Sequence, residues 1–336
     1  MNGPTISVLI TTYNRVRFLE TIVSLFVSQI KSDGLSDAVE IIIGNDASSD
    51  ATDEYLNQVK TKYSFLKTIS HPQNLGYSGN LEKLVDMARG EYIWSFGEDD
   101  LMTEGAVKKV LQAIYSNGPN YILINTKNIL SLDDRNLDYK IIGGGRMDIS
   151  EDMIIHNFQE ESDKLSHIGN WLYLTNLCSS VVFKKKIFLD WIEEAKRYAH
   201  KNNLYAWQAA VIMGISKAGK MHIMAEPLVL HRKNENHYSK SIHKLLKLNL
   251  YDSSELLNVV KEYMPSEYVE YQKRFAAFVL ATILSAKKDG VNVNKYIINA
   301  IKKNYNCYPY NIRFLIALLT PGIIFRMYSK IFRQSA

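Results

Sequence analysis

Three consecutive carboxylates, Glu98-Asp99-Asp100, follow the apolar run Tyr92-Ile93-Trp94-Ser95-Phe96 and Gly97. Adjacent acids repel one another, and a bound divalent cation relieves that repulsion. Mg²⁺ and Mn²⁺ take hard oxygen ligands, commonly one or two carboxylates together with phosphate oxygens. The cluster therefore points to a cation that holds a phosphorylated ligand. Polar segments follow three other apolar runs. Thr12-Tyr13-Asn14-Arg15 comes after the first, Asn45-Asp46-Ala47-Ser48-Ser49-Asp50 after the second, and His71-Pro72-Gln73-Asn74-Leu75-Gly76 after the third. The first segment lacks the glycines of a dinucleotide-binding turn and the Gly-Lys-Ser/Thr of a phosphate loop. A nucleotide bound here is not held in a glycine cradle.

The elements that position these segments alternate. Strands are expected at Ile6 to Thr11, Val39 to Ile43, Leu66 to Ser70, Tyr92 to Phe96 and Tyr121 to Asn125. Helical patterns intervene at Arg17 to Ile30, after a cap at Asp50, at Ser78 to Met87 and at Thr103 to Tyr115. Such an order implies an α/β fold, a mostly parallel sheet with helices on both faces, and ligands at the carboxyl ends of the strands. From Thr126 to Met147 the periodicity fails, and Gly143-Gly144-Gly145 predicts a mobile loop. A strand at Cys178 to Phe183, helices at Lys184 to His200 and Tyr205 to Ser216, and short strands at Met221 to Ala225 and Leu228 to His231 follow. Beyond them the pattern turns helical at Lys240 to Tyr263, Ser266 to Lys287, Asn294 to Lys303 and from Tyr310 onward. The expected division is a catalytic domain at 1–235 and a helical C-terminal region at 236–336.

Bulk composition narrows the class. The 336 residues are 46% hydrophobic and 22% charged, enough to bury a substantial core without disulfides. Cys178 and Cys307 stand far apart with no close metal-ligand partner, so neither a disulfide framework nor a zinc site follows, and a cytoplasmic compartment is expected. A net charge of +5 is too mild to predict nucleic-acid binding and suits phosphates or an anionic membrane surface. Met1 to Thr5 carries no positive charge, so no signal peptide is expected. No run reaches the roughly 18–20 apolar residues that span a bilayer. The stretch from Phe314 to Phe325 is broken by Pro321-Gly322, and its flanking charges, Arg313, Arg326, Lys330 and Arg333, are all basic. That mixture predicts peripheral attachment to the inner face of the plasma membrane; the competing reading is a helix docked on the protein's own surface.

Taken together, Thr11-Thr12-Tyr13-Asn14-Arg15, Asn45-Asp46-Ala47-Ser48-Ser49-Asp50, Asn74-Leu75-Gly76 and Gly90-Glu91-Tyr92 leading into Glu98-Asp99-Asp100 resemble the family 2 glycosyltransferases in order and spacing. A narrower likeness is to bacterial O-antigen and polysaccharide sugar transferases of the abequosyltransferase type. The resemblance implies a GT-A fold and a nucleotide-sugar donor. It implies that Thr11, Thr12 and Tyr13 line the nucleobase and that Asp46 hydrogen-bonds it, with Arg15, Asn74 and Gly76 also on the donor side. Asp99 matches the last acid of the family's D-x-D element, the metal-binding one, with His231 as a further ligand for Mg²⁺ or Mn²⁺. Arg232 resembles the arginine that grips a phosphate after the last core strand. Glu98 and Asp100 are expected to be the catalytic acids. A glycan, as a lipid-linked oligosaccharide, is the implied acceptor.

Two departures stand out. Gly97 occupies the position where the D-x-D element begins. The helix that carries a Glu-Asp pair in inverting members reads Tyr205-Ala206-Trp207-Gln208 here, without a carboxylate, so the base is unassigned. Two rival readings remain: a sugar nucleotidyltransferase, which wants a glycine-rich basic segment after the first strand, and a non-catalytic glycan- or nucleotide-binding protein on a transferase scaffold.

Overall fold

A computed structural model describes residues 3–133, 138–145, 147–166, 168, 171–175, 177–198, 205–233, 246, 248, 250, 253–303, 305, 307 and 309–321. The chain divides into two units, one of residues 1–197 and 206–236, the other of residues 198–205 and 237–336.

In the first unit, β1 (Ile6–Thr12) and β2 (Val39–Asn45) are buried along their whole length. Continuous apolar runs of this kind are what a parallel sheet covered on both faces requires. Joined by β3 (Leu66–Ser70) and β4 (Tyr92–Gly97), they form the parallel array β3-β2-β1-β4. The amphipathic helices α1 (Val16–Ser32), α2 (Thr52–Val59), α3 (Gly76–Met87) and α4 (Ala106–Asn117) connect and cover these strands. Phe26 of α1 packs edge-on against Trp94 and Phe96 of β4, with ring centroids 5.7 and 5.1 Å away.

The sheet continues past β4. A two-residue strand, β5 (Leu101–Met102), closes the far edge, and the full order is β3-β2-β1-β4-β9-β6-β10-β5. Here β6 is Tyr121–Asp133, β9 is Val181–Lys184 and β10 is Met221–Arg232. Because β9 runs antiparallel to both β4 and β6, and β10 runs parallel to β6, strands β1, β2, β4, β6 and β10 end at one edge.

The structure corrects several expectations. The loop predicted at Thr126 to Met147 is largely a hairpin: β6 runs on to Asp133 and pairs antiparallel with β7 (Asp138–Gly145). Its ladder to β10, from Thr126↔Val229 to Ile129↔Arg232, supplies the pairing that apolar periodicity does not announce. The two short strands after Met221 are one strand whose register shifts between Met224 and Val229, where Pro227 cannot donate to the ladder. Met221–Ile223 also pair with β8 (Met153–Ile155). The expected strand at Cys178 begins as a 3₁₀ turn over Cys178–Ser180. Short helical turns α5 (Phe158–Glu161), α6 (Asp163–Ser166) and α7 (Trp171–Leu174) precede it, and α8 (Lys185–Tyr198) and α9 (Ala206–Ala218) follow β9.

The described part of the second unit is helical. It holds α10 (Ser253–Tyr263), α11 (Pro265–Lys288), α12 (Asn294–Lys302) and α13 (Tyr310–Leu319). Pro265 opens α11, where its missing N–H costs nothing. Near the end of α11, the buried Lys287 ammonium donates to the carbonyls of Ala317 and Leu318, orphan acceptors at the end of α13. Phe314 and Ala317 face inward from α13, whereas Ile312, Leu315, Ile316 and Leu319 are exposed, Leu319 to 81%. Among the described residues no helix is long and apolar enough to cross a membrane. The helical pattern expected from Lys240 to Asp252 and the continuation beyond Pro321 lie almost wholly outside the described residues.

Candidate active site

Four loops meet at the edge where the parallel strands end, and their side chains knit them together. Asn14 adopts left-handed backbone, φ 55°, which its short amide side chain tolerates. Its Oδ1 accepts the Ser49 N–H at 2.7 Å, and its own N–H donates to Ser48 Oγ at 2.9 Å. Asp50 accepts the Val16 N–H at 3.1 Å and the Thr52 N–H at 3.2 Å, so one carboxylate serves the starts of both α1 and α2.

Asp46 is 4% exposed. Its two oxygens accept the N–H groups of Leu75 and Gly76 at 2.7 and 2.9 Å, where α3 begins. The negative charge at a helix N-terminus is favourable on dipole grounds as well. Asn74 completes this corner: its amide donates to the Asp46 carbonyl at 3.2 Å and its Oδ1 accepts the Gly76 N–H at 3.1 Å. On the neighbouring strand Thr11 and Thr12 are buried and Tyr13 is exposed. Thr12 is 3% exposed, and its Oγ1 has no hydrogen-bond partner among the described residues.

The acidic loop occupies the end of β4. Arg15 Nη1 lies 3.0 Å from Asp99 Oδ2 and 3.5 Å from Glu98 Oε1. Burial, reinforced by Asp99, pushes the Glu98 carboxyl up to about 7 against the pull of Arg15. Burial and then Asp100 raise Asp99 as well, with Arg15 and His231 opposing. Asp100 lies deeper, accepting Ser179 Oγ at 2.6 Å on one oxygen and facing His231 Nδ1 at 2.8 Å on the other. Gly97 lies close to three side-chain oxygens of the site. A Cβ there would sit 3.2 Å from Asp99 Oδ1, 3.4 Å from Ser179 Oγ and 3.5 Å from Asp100 Oδ2.

Arg232 is 2% exposed and donates from Nη1 to Ser131 Oγ at 3.1 Å. Its guanidinium and that of Arg15 lie 5.3 and 4.5 Å from the centre of the Phe18 ring, a cation–π arrangement. The structure therefore gathers the predicted residues into three groups: Arg15 with Glu98 and Asp99, Asp100 with His231, and Asp46 with Asn74 and Gly76. Asp46 bonds to the start of α3 and not to the acidic loop.

A divalent cation fits the acidic loop on charge. Three carboxylates face one guanidinium and one imidazole, and burial first, then a neighbouring acid, raises both Glu98 and Asp99. Among the described residues, no three His, Cys, Asp or Glu side chains converge into a closed cage. Such a cation would thus draw most of its ligands from phosphate oxygens and water, the habit of Mg²⁺.

Sequence reading missed a second polar cluster behind this loop. Tyr77 Oη lies 3.3 Å from Ser95 Oγ, and Ser179 Oγ also accepts the Gly97 N–H at 2.9 Å. Burial, then the charge of Asp100, pushes the Cys178 thiol up to about 12, which leaves it a poor nucleophile. The available signal was the run of small polar residues Cys178-Ser179-Ser180 opening an expected buried strand. At the start of α9, Trp207 and Gln208 are buried, with Trp207 6.4 Å from the Tyr77 ring.

Residues 7–175 match the sequence profile of Glycosyl transferase family 2. An abequosyltransferase of Salmonella typhimurium is 31% identical over 123 residues, 36% of this chain and 36% of that protein. The first curated relatives are matched over only about a third of their own length, 36%, 34% and 32%. Among solved structures, TarS residues 1–349 of S. aureus in complex with UDP-GlcNAc superpose with a TM-score of 0.62 at 13% identity, covering 98% of this chain and 92% of that one. A mannosyltransferase of Pyrobaculum calidifontis, in complex with GDP-Man and Mn²⁺, gives a TM-score of 0.51 at 12% identity, covering 98% and 88%. These structural likenesses place the fold among the GT-A glycosyltransferases.

Proposed function

The chain belongs to glycosyl transferase family 2, and from that premise we propose that its first unit moves a sugar from a nucleotide diphosphate donor to a growing bacterial surface glycan. The observation that carries this reading is the buried Thr12 hydroxyl, without a hydrogen-bond partner among the described residues, beside the Asp46 corner and the acidic loop, all on one sheet edge. A buried polar atom without a partner costs roughly 1–3 kcal/mol, a penalty that a ligand hydrogen bond removes.

In this reading Thr11, Thr12 and Tyr13 line the nucleobase, and Asp46, Asn74 and Gly76 shape the wall it rests on. Asp46 retains unused lone pairs beyond the two N–H groups it accepts, enough for one base N–H. Asp99 and His231 would hold a Mg²⁺ or Mn²⁺ ion. Such an ion supplies Lewis-acid neutralisation of the departing nucleotide diphosphate. Arg15 adds a positive charge at the same place and would exchange its carboxylate partners for phosphate oxygens. Arg232, buried against Phe18, contributes charge from beneath. Burial holds the Glu98 carboxyl up to about 7, so near neutral pH it exchanges a proton more readily than an ordinary carboxylate.

The acceptor in this proposal is a lipid-linked oligosaccharide at the inner membrane face. The exposed apolar face of α13 and the net charge of +5 support that placement. The absence of a carboxylate among Trp207, Gln208 and their neighbours at the start of α9 favours a second reading, donor binding without transfer.

A thermal-shift screen of UDP-, GDP-, CDP- and dTDP-sugars with Mn²⁺, followed by a donor-hydrolysis assay, tests both. At least one donor should raise the melting temperature in a Mn²⁺-dependent manner and be hydrolysed, with Asp99→Asn abolishing turnover at an unchanged melting temperature. Binding without turnover selects the second reading. No binding by any donor overturns the proposal.

A further inference from the structure

One chain of hydrogen bonds runs from the end of β4 through two segments remote in sequence. The Gly97 N–H donates to Ser179 Oγ, Ser179 Oγ donates to Asp100 Oδ2, and Asp100 Oδ1 faces His231 Nδ1. Ser179 is wholly buried and Asp100 nearly so, and Ser179 is fixed again through its carbonyl, which accepts the Trp94 indole N–H at 2.8 Å. With Asp100 ionised, its Oδ1 accepts from Nδ1, which leaves Nε2 as the ring nitrogen available to a cation. With both oxygens of Asp100 engaged, the imidazole has a set tautomer and a set ring plane.

We infer that Ser179 and Asp100 are positioning residues that present His231 Nε2 as a nitrogen ligand to the divalent cation accompanying a donor diphosphate. The inference deepens the cation reading above and rests on it. It also gives Asp100 a duty distinct from Asp99: orientation of the ligand, not contact with the reacting atoms. Metal-bound histidines characteristically donate their other N–H to a carboxylate, which fixes the ring and raises its basicity. Ser179 is what keeps that carboxylate from rotating away. Its hydroxyl fills both roles open to it, accepting from Gly97 and donating to Asp100. An alanine there would leave a carboxylate oxygen and a backbone N–H without this link.

The test uses the full chain with Mn²⁺ and inorganic pyrophosphate, the part common to every nucleotide diphosphate donor. Mn²⁺ affinity is titrated by electron paramagnetic resonance, and pulsed measurements report nitrogen coordination. Wild-type protein should show ¹⁴N coupling, His231→Ala should lose it, and Asp100→Asn and Ser179→Ala should weaken Mn²⁺ binding about 10-fold or more. Ser179→Thr, which keeps the hydroxyl, should bind near the wild-type level and stands in if Ser179→Ala melts early. Wild-type Mn²⁺ binding without ¹⁴N coupling, unchanged in His231→Ala and Asp100→Asn but lost in Asp99→Asn, overturns this inference and leaves the cation reading intact. Unchanged binding in Asp99→Asn as well overturns both.

Discussion

Thr12 and Asp46 sit a strand apart and show how a buried polar side chain divides its work. Asp46 holds α3 in place through Leu75 and Gly76, so any loss of nucleotide binding in its variants is mixed with a loss of structure. Thr12 gives the cleaner experiment because no described residue bonds its hydroxyl. Thr12→Val keeps the shape and removes the orphan oxygen. Denaturant unfolding should show equal or greater stability, while calorimetry should show donor nucleotide binding weakened about 10-fold, or about 1.4 kcal/mol. Unaltered nucleotide affinity would remove Thr12 from the site. The sequence pointed to Thr12 because it follows a β-branched run; it could not show that Asp46 would be spent on a helix start. Asp46 and the N–H groups that donate to it lie about thirty positions apart, and such long-range hydrogen bonds leave no periodic trace.

At the scale of elements, the buried parallel strands and the amphipathic helices between them were legible to within a few residues. Their signal is apolar periodicity, and β1, β2 and β4 carry it undiluted. The β6–β7 hairpin was not legible: Leu130, Tyr139, Ile141 and Ile142 are largely exposed, and the element is held by backbone pairing to β10 and not by a buried stripe. Ser179 was hidden in the same way, inside a strand expected to be apolar. Capping by a distant lysine is likewise invisible in sequence. Lys287→Met keeps the aliphatic stem but removes the donor to Ala317 and Leu318. It should destabilise the second unit by about 1.5–3 kcal/mol, the range for hydrogen bonds from a charged group, and amide exchange in α13 should quicken. Unchanged exchange there would mean that Phe314 and Ala317 alone hold the helix.

Across the whole molecule, charge acts at two places besides the acidic loop. One is the buried Glu40 at the sheet edge opposite the site. Burial alone would raise its carboxyl, but Ser7 at 2.6 Å, the Arg89 N–H at 2.6 Å and Lys67 at 3.0 Å outweigh burial and hold it below the ordinary range. A depressed folded-state value gives stability that is present above the unfolded pKa, about 4.3, and is lost as pH falls through the folded one. Glu40→Gln should therefore cost about 2 kcal/mol at pH 7, and the gap to wild type should close on acidification. Urea unfolding from pH 7 to pH 3.5 measures it; a gap that stays constant across that range would mean Glu40 acts by shape alone. The other location is the surface, where Arg313 accompanies the exposed Ile312, Leu315, Ile316 and Leu319 of α13. Replacing Leu315, Ile316 and Leu319 with serine should abolish co-sedimentation with anionic phospholipid vesicles and spare nucleotide binding. Vesicle binding that survives the triple substitution would dismiss this face as the contact. The same face also governs how the protein behaves as a colloid. Salt screens attraction to lipid headgroups, yet it equally screens the repulsion that keeps like-charged copies apart. Rising ionic strength should release the protein from vesicles while promoting its self-association through α13, so light scattering and sedimentation would respond to salt in opposite directions.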